Sequence, residues 1–280
     1  MTSDILRWLT SGEQWAGPDG IGARLGEHLF YTLVVIVVAA LVAIPVGLWV
    51  GHTGRGRWVV SFANALRAVP TLGLLFALTL WLGAQLPGSS AFLVPSIIVL
   101  VLLAVPPLLS GAYAGVEAVD PAARDAARGI GMTGRQVLLQ VELPCALPLV
   151  LSGLRSAVLQ VVATATVAAY VGLGGLGRFL IDGLAVRDYP QTAGGALLVA
   201  LLALALDGVL ALVERGSVSP GLTGRATRTT GTGRGPRPGD PEASADDPSD
   251  PSDPSTPSDP TDVARPGAAL TPSSTTGSSS

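Results

Sequence analysis

The sequence predicts an all-α fold, a polytopic membrane bundle of about five spanning helices followed by a disordered tail. Three observations predict it. The 280 residues are 49% hydrophobic and 13% charged, with a mean hydropathy of +0.53, whereas soluble domains carry roughly 25% charged residues. Long uncharged apolar runs recur at intervals that suit separate spans. The last quarter of the chain then turns abruptly to Pro, Ser and Asp.

The first 28 residues lack the basic start, short apolar run and small-residue cleavage site of a signal peptide. Trp8, Trp15, Gly17 and Pro18 stand scattered among polar residues, which reads as a short extramembrane segment. The first span is Leu29–Val50, uncharged and about 33 Å long at 1.5 Å per residue, enough for a hydrocarbon core of about 30 Å. Further spans are read at Ala68–Leu86, Ala91–Val116, Leu147–Val171 and Gly194–Val213. Residues 29–216 therefore form the transmembrane domain and residues 217–280 the tail.

Prolines 45, 70, 95, 106 and 107 fall within or beside these runs. In a membrane bundle neighbouring helices can satisfy the carbonyls that proline frees, so the prolines read either as kinks or as bends around a passage. The small residues Ala163, Ala165, Ala168 and Ala169 permit close helix contact. Arginine placement sets the orientation. Arg55, Arg57, Arg124, Arg128, Arg135 and Arg215 fall on one side, and Arg7, Arg24, Arg178 and Arg187 on the other. The bias favours an outer N-terminus and a cytoplasmic C-terminus.

Residues 217–280 hold 11 of the 22 prolines and the repeats Asp247–Ser249, Asp250–Ser252 and Asp253–Ser255. Such a stretch cannot bury enough apolar surface to offset its ordering entropy. The net charge of −3 resides in this tail, because residues 1–216 carry 12 Arg against 12 Asp and Glu. No basic stripe suggests nucleic acid as a partner. Cys145 is the single cysteine, which excludes an intrachain disulfide and a Cys-based metal site. His28 and His52 are too few for a His-cluster metal site and read as ordinary polar residues near the interface. The chain has no lysine, hence no phosphate-binding Gly-rich loop with Lys, and no catalytic constellation.

The loop Glu117–Pro144 carries the strongest signal. Asp120 suits a helix cap and Pro121 the first helical position, so residues 121–128 form a short alanine-rich helix. Gly129 and Gly131 end it with a turn. Thr133 and Gln136 have capping-box spacing and begin a second helix, and Pro144 marks the start of the fourth span. The segment resembles the coupling-loop signature of ABC importer permeases, Glu-Ala-Ala, three residues, Gly, nine residues, Ile, one residue, Leu-Pro. Asp125, Ala126 and Ala127 stand in place of Glu-Ala-Ala, Gly131 follows at the right distance, and Val141, Leu143 and Pro144 complete it. Asp for Glu and Val for Ile are the departures. The resemblance implies a short cytoplasmic coupling helix that docks on a separate ATP-binding subunit, with Asp125, Ala126, Ala127 and Gly131 transmitting force. ATP and Mg would then belong to that partner, with no cofactor in this chain and no enzymatic role for it.

Further segments, Leu66–Leu75, Gly172–Gly183 and Gly195–Leu204, resemble the branch that imports glycine betaine, carnitine, choline and related osmoprotectants. The likeness covers about residues 25–222, and the methionine-importer branch shares the same plan. It implies a multi-pass permease of the bacterial cell membrane. Its partners would be an ATPase, a second copy or sister permease, and an extracytoplasmic substrate-binding protein. A secondary transporter would show an internal repeat, and none is visible. Aromatic residues are 5% of the chain and unclustered in sequence, so an aromatic cage for a quaternary ammonium is assigned to the binding protein.

Ionisable residues in the spans give candidate gate residues. Arg67 or Arg155 pairs with Asp207 and helps set an inward gate, or these side chains snorkel to the interface, the commoner behaviour. Gln160, Thr164 and Thr166 line a passage or bond to backbone in a dry bundle.

Overall fold

The computed structural model describes residues 2–217, and among these all regular structure is helical. The tail predicted at 217–280 lies outside the described residues apart from its first. Two short helices, α1 (Thr2–Thr10) and α2 (Gly12–Trp15), precede the long α3 (Ile21–Thr53). The spanning helix thus begins eight residues before the predicted Leu29. The N-terminal segment is docked as well. Trp8 is buried and meets the Phe179 ring edge-on, with centroids 5.3 Å apart at 79°.

The second predicted span differs from a straight helix. It consists of α4 (Arg57–Ala65), a single 3-10 turn (Leu66–Ala68) and α5 (Thr71–Gly83), bent by 91° between the two arms. The break falls at Val69–Pro70. Pro70 pushes the preceding residue out of the helical region, and Val69 has φ −71 and ψ 129. At 13 residues, α5 reaches about 20 Å, short of a hydrocarbon core. Among the described residues four helices are long and apolar enough to cross a membrane, and the bent pair makes a fifth span if it counts as one.

The other prolines bend no span this sharply. Helix α6 (Ser90–Glu117) runs unbroken through Pro95, Pro106 and Pro107. Pro106 and Pro107 have no N–H, so the carbonyls of Leu102 and Leu103 lose their intrahelical donors. Gln160 lies on α9 (Leu143–Ala168), and its side-chain amide donates to the Leu103 carbonyl at 3.0 Å. A neighbouring helix therefore completes the backbone, as an apolar environment demands.

Helix α6 is the trunk, packing most extensively on α3 and α9. Glycine makes these contacts close. A Cβ on Gly111 would lie 2.9 Å from the Gly153 Cα, and one on Gly153 would lie 2.7 Å from the Pro107 carbonyl oxygen. On the other side, a Cβ on Gly47 would meet the Leu109 carbonyl oxygen at 2.7 Å. Of the small residues singled out in α9 and the turn after it, Ala165, Ala168 and Ala169 are buried, and Ala163 faces outward. Two helices complete the bundle, α10 (Gly177–Val186) and α11 (Tyr189–Ser217), and α11 rests on α9 and α10.

The Gln160 bridge predicts a specific coupling. Gln160→Leu lowers stability by about 1 kcal/mol through the orphaned Leu103 carbonyl. In a Pro107→Ala background, where residue 107 regains its N–H, the same substitution costs little. A double-mutant cycle on thermal unfolding in detergent measures the difference, and equal costs in both backgrounds contradict the bridge.

Candidate coupling site

The loop between α6 and α9 folds as a compact helical unit. In α7 (Pro121–Gly129) the Asp120 carboxylate accepts from the Ala122 N–H at 2.9 Å, and Pro121 occupies the first turn. The helix closes in a Schellman arrangement. The Met132 N–H donates to the Ala127 carbonyl at 3.2 Å and the Gly131 N–H to the Arg128 carbonyl at 3.0 Å, with Gly131 at φ 89. That positive φ is the conformational reason for glycine at this point of the signature. Thr133 and Gln136 form the reciprocal capping box at the start of α8 (Gly134–Val137).

The signature residues divide by face. Asp125 and Ala126 are exposed, together with Ala122, Ala123 and Ile130. Ala127 is 6% exposed and packs inward against the chain's own residues. The outward surface of α7 therefore carries Ala122, Ala123 and Ala126 together with the exposed Asp125–Arg128 pair, and it ends at Ile130, which is 81% exposed. Ala127 is part of the seat of the helix, in contrast to the expectation that it joins Ala126 in an outward contact.

After α8 the chain widens into one π turn (Leu138–Glu142), closed by the Leu143 N–H donating to the Leu138 carbonyl. Pro144 follows at once and cannot donate, so the wider turn lets the helix pass its ring without breaking. Residues 134–171 thereby form one continuous span, and Pro144 lies within it where the sequence suggested its start. Val141 and Leu143 are half-buried on this turn, and Pro144 is exposed.

Glu142 occupies the unspecified position between Val141 and Leu143, and sequence reasoning passed over it. Its carboxylate is fully buried and gathers three elements. Oε2 lies 2.6 Å from Nδ1 of His52, at the end of α3. Oε1 lies 3.0 Å from Nε of Arg124 on α7, an ion pair whose N–H is not aligned for a hydrogen bond. The Arg124 guanidinium also donates to the Val116 carbonyl at the end of α6. The loop is thus fastened to α3 and the base of α9 through the Glu142 carboxylate and to α6 through Arg124, and His52 is a member of this cluster rather than an isolated interface residue. The available signal was a charge one residue from the Leu-Pro pair, at the threshold of an apolar run.

Farther along α9, Arg155 makes a two-pronged contact with Asp207 of α11. Nε–Oδ1 measures 2.5 Å and Nη2–Oδ2 2.6 Å, with Glu214 at 3.9 Å from Nη1. Arg67 is exposed beside the Pro70 break and forms no ion pair with the described residues. Thr164 and Thr166 donate to the carbonyls of Gln160 and Val162, at 2.7 and 3.0 Å. Together with Gln160, they satisfy backbone.

At the opposite end of the bundle the glycine-rich turn after α9 closes on α3. The Gly175 N–H donates to Glu27 Oε2 at 2.8 Å, and a Cβ on Gly174 would collide with that carboxylate at 2.4 Å. His28 is buried there, its Nε2 3.2 Å from the Val162 carbonyl. Beside this turn lies a cavity of about 400 Å³ lined by Phe76, Thr79, Leu80, Phe92, Tyr170 and Arg178, among others.

Known proteins share this architecture. A glycine betaine/carnitine/choline transport system permease protein, OpuCB of Bacillus subtilis, is 34% identical over 202 residues, covering 72% of this chain and 90% of the relative. The osmoprotectant import permease protein OsmW of Salmonella typhimurium is 33% identical, covering 66% of this chain and 85% of its own. Among solved structures, the MetNI methionine ABC transporter in an inward-facing form aligns with a TM-score of 0.63 at 21% identity, covering 71% of this chain and 96% of the matched chain. That identity supports the fold alone. The family described as binding-protein-dependent transport system inner membrane component matches residues 29–218, and with the signature loop, the capped α7 and the spanning bundle in place, the chain belongs to that family.

Proposed function

We propose that this permease carries a small quaternary-ammonium osmoprotectant such as glycine betaine, carnitine or choline, and that α7 couples it to an ATP-hydrolysing partner. The outward strip of α7 carries the coupling reading. A face of small alanines beside the Asp125–Arg128 pair, ending in an exposed Ile130, is closely approachable and held in place by the Glu142 cluster. Such a surface suits a groove on another subunit. The substrate reading rests on the relatives, whose names specify glycine betaine, carnitine and choline at 31–34% identity. A methionine cargo has only fold-level likeness behind it.

In this reading ATP and Mg bind the partner, and this chain supplies no catalytic group. The bundle pairs with a second copy or a sister permease, since five short-linked spans are too few to enclose a two-sided passage. An extracytoplasmic binding protein delivers the cargo. The α7 end faces the cytoplasm, which places the N-terminus outside and the C-terminus inside. Arg155 and Asp207 form an inner gate between α9 and α11. The division into an N-terminal segment, a transmembrane domain from 29 to 216 and a separate tail belongs to the same proposal.

Four outcomes test it. Ala126→Trp abolishes copurification of the ATPase while the permease unfolds at its usual temperature, because the residue faces outward. Ala127→Trp and Glu142→Ala lower the unfolding temperature instead, the latter by the equivalent of about 3 kcal/mol, because Arg124 loses its buried partner. An ATPase that binds Ala126→Trp normally removes the docking surface. Asp207→Arg halts uptake and the reciprocal Arg155→Asp restores it if the pair gates, whereas normal uptake by Asp207→Ala excludes the gate. Reconstituted with ATPase and binding protein, the wild type takes up labelled glycine betaine and leaves methionine outside, and the reverse result overturns the substrate class.

A further inference from the structure

The cavity beside the glycine-rich turn brings together residues that the sequence keeps far apart. Phe76, Thr79 and Leu80 come from α5, Phe92 from the start of α6, Tyr170 from the end of the fourth span, and Arg178 from α10. The loop bearing α7 joins the other ends of α6 and α9, so the cavity lies at the pole of the bundle away from the coupling helix. No single segment is aromatic-rich, which is why the sequence suggested no cage in this chain.

Three features set the cavity apart from an ordinary apolar crevice. Arg178 lines it, held by Asp182 at 2.6 Å and reaching the Ala169 carbonyl at 3.4 Å. These contacts use two of the five guanidinium N–H groups. A cation facing lipid is costly, so this wall borders water or protein. Thr79 lines it too, and its hydroxyl is buried without a hydrogen-bond partner. Thr32, Thr164 and Thr166 all donate to the carbonyl one turn back, so Thr79 departs from the pattern of this bundle. Finally, Gly172 has φ 94, and a Cβ there would lie 3.4 Å from the Phe92 ring. The left-handed backbone favours glycine here, and the turn lies in contact with the Phe92 ring.

We propose that this cavity is a substrate site on the permease itself, taking a small zwitterion with a quaternary ammonium at one end and a carboxylate at the other. The ammonium lies against the aromatic faces of Phe76, Phe92 and Tyr170, where ring quadrupoles attract a cation that cannot donate hydrogen bonds. The carboxylate meets the spare N–H groups of Arg178. At about 400 Å³ the space suits a ligand of this size. The proposal rests on the osmoprotectant reading above and adds a discrimination within it. Choline has the same ammonium and no carboxylate, so Arg178 distinguishes betaine-type substrates from choline.

The test is competitive uptake of labelled glycine betaine and choline by proteoliposomes holding the permease, its ATPase and its binding protein. The same binding protein serves every variant, so its own preference cancels from the comparison. Arg178→Gln lowers the betaine-to-choline uptake ratio roughly tenfold, the loss of about one charge-assisted hydrogen bond. Arg178→Lys, which keeps the charge beside Asp182, lowers it less. Phe92→Leu and Tyr170→Leu reduce both substrates together and leave the ratio unchanged. An unaltered ratio in both Arg178 variants overturns the site while leaving the substrate reading intact. A wild type that transports neither compound overturns both.

Discussion

The close approach of α6 to α3 on one side and α9 on the other is the constraint on which the rest of the bundle depends. Apolar burial does little to hold helices together in lipid, because hydrocarbon tails are as apolar as leucine. Association must come from van der Waals contact and from the few polar groups that meet across the seam. Gly47, Gly111 and Gly153 permit that contact, since a Cβ at any of them would fall within 3 Å of backbone atoms of the facing helix. The short separation also makes other features feasible. Gln160 reaches the carbonyl freed by Pro107 only because α9 lies so near α6.

Proline and polar side chains form one system in this fold. Where a neighbour is close enough to supply a donor, as Gln160 does for Leu103, proline is absorbed into a continuous span. Where the preceding turn can widen, as at Leu138–Glu142, Pro144 is absorbed as well. Pro70 has neither compensation and breaks the helix by 91°. The same residue type therefore gives opposite outcomes, and what surrounds the freed carbonyl separates them.

Much of the local structure was legible in the sequence because short-range chemistry determines it. Asp120, Pro121, Thr133, Gln136 and the positive-φ turn at Gly131 all act within a few residues of themselves, and each occurs as its residue type implies. The long apolar runs announced four of the spans for a similar reason. Features that required tertiary proximity were not legible. Ala126 and Ala127 are the same residue type one position apart, and only the seat of α7 against the bundle separates the outward one from the buried one. Glu142, His52 and Arg124 are scattered over 91 positions, and each is unremarkable by itself. The three aromatics around the cavity beside the glycine-rich turn were invisible for the same reason.

The position of Glu142 gives the coupling loop a mechanical character that its signature does not state. A short helix on flexible connections could dock on a partner and still transmit little, because its motion would be lost in the connections. Here the connections are stiffened from both directions. The Schellman turn and capping box fix α7 to α8, and one buried carboxylate fixes α7 to the ends of α3 and α9. Breaking such a cluster leaves a charge in apolar surroundings, so rigid movement of the whole unit costs less than separation of α7 from the bundle. Displacement of α7 by a partner would accordingly pass into α3 and α9 together, and α9 carries both Arg155 and the residues leading to the cavity at the opposite end of the bundle. One helix therefore connects the proposed docking surface, the Arg155–Asp207 ion pair and the proposed substrate site, and the Glu142 cluster sits at its base.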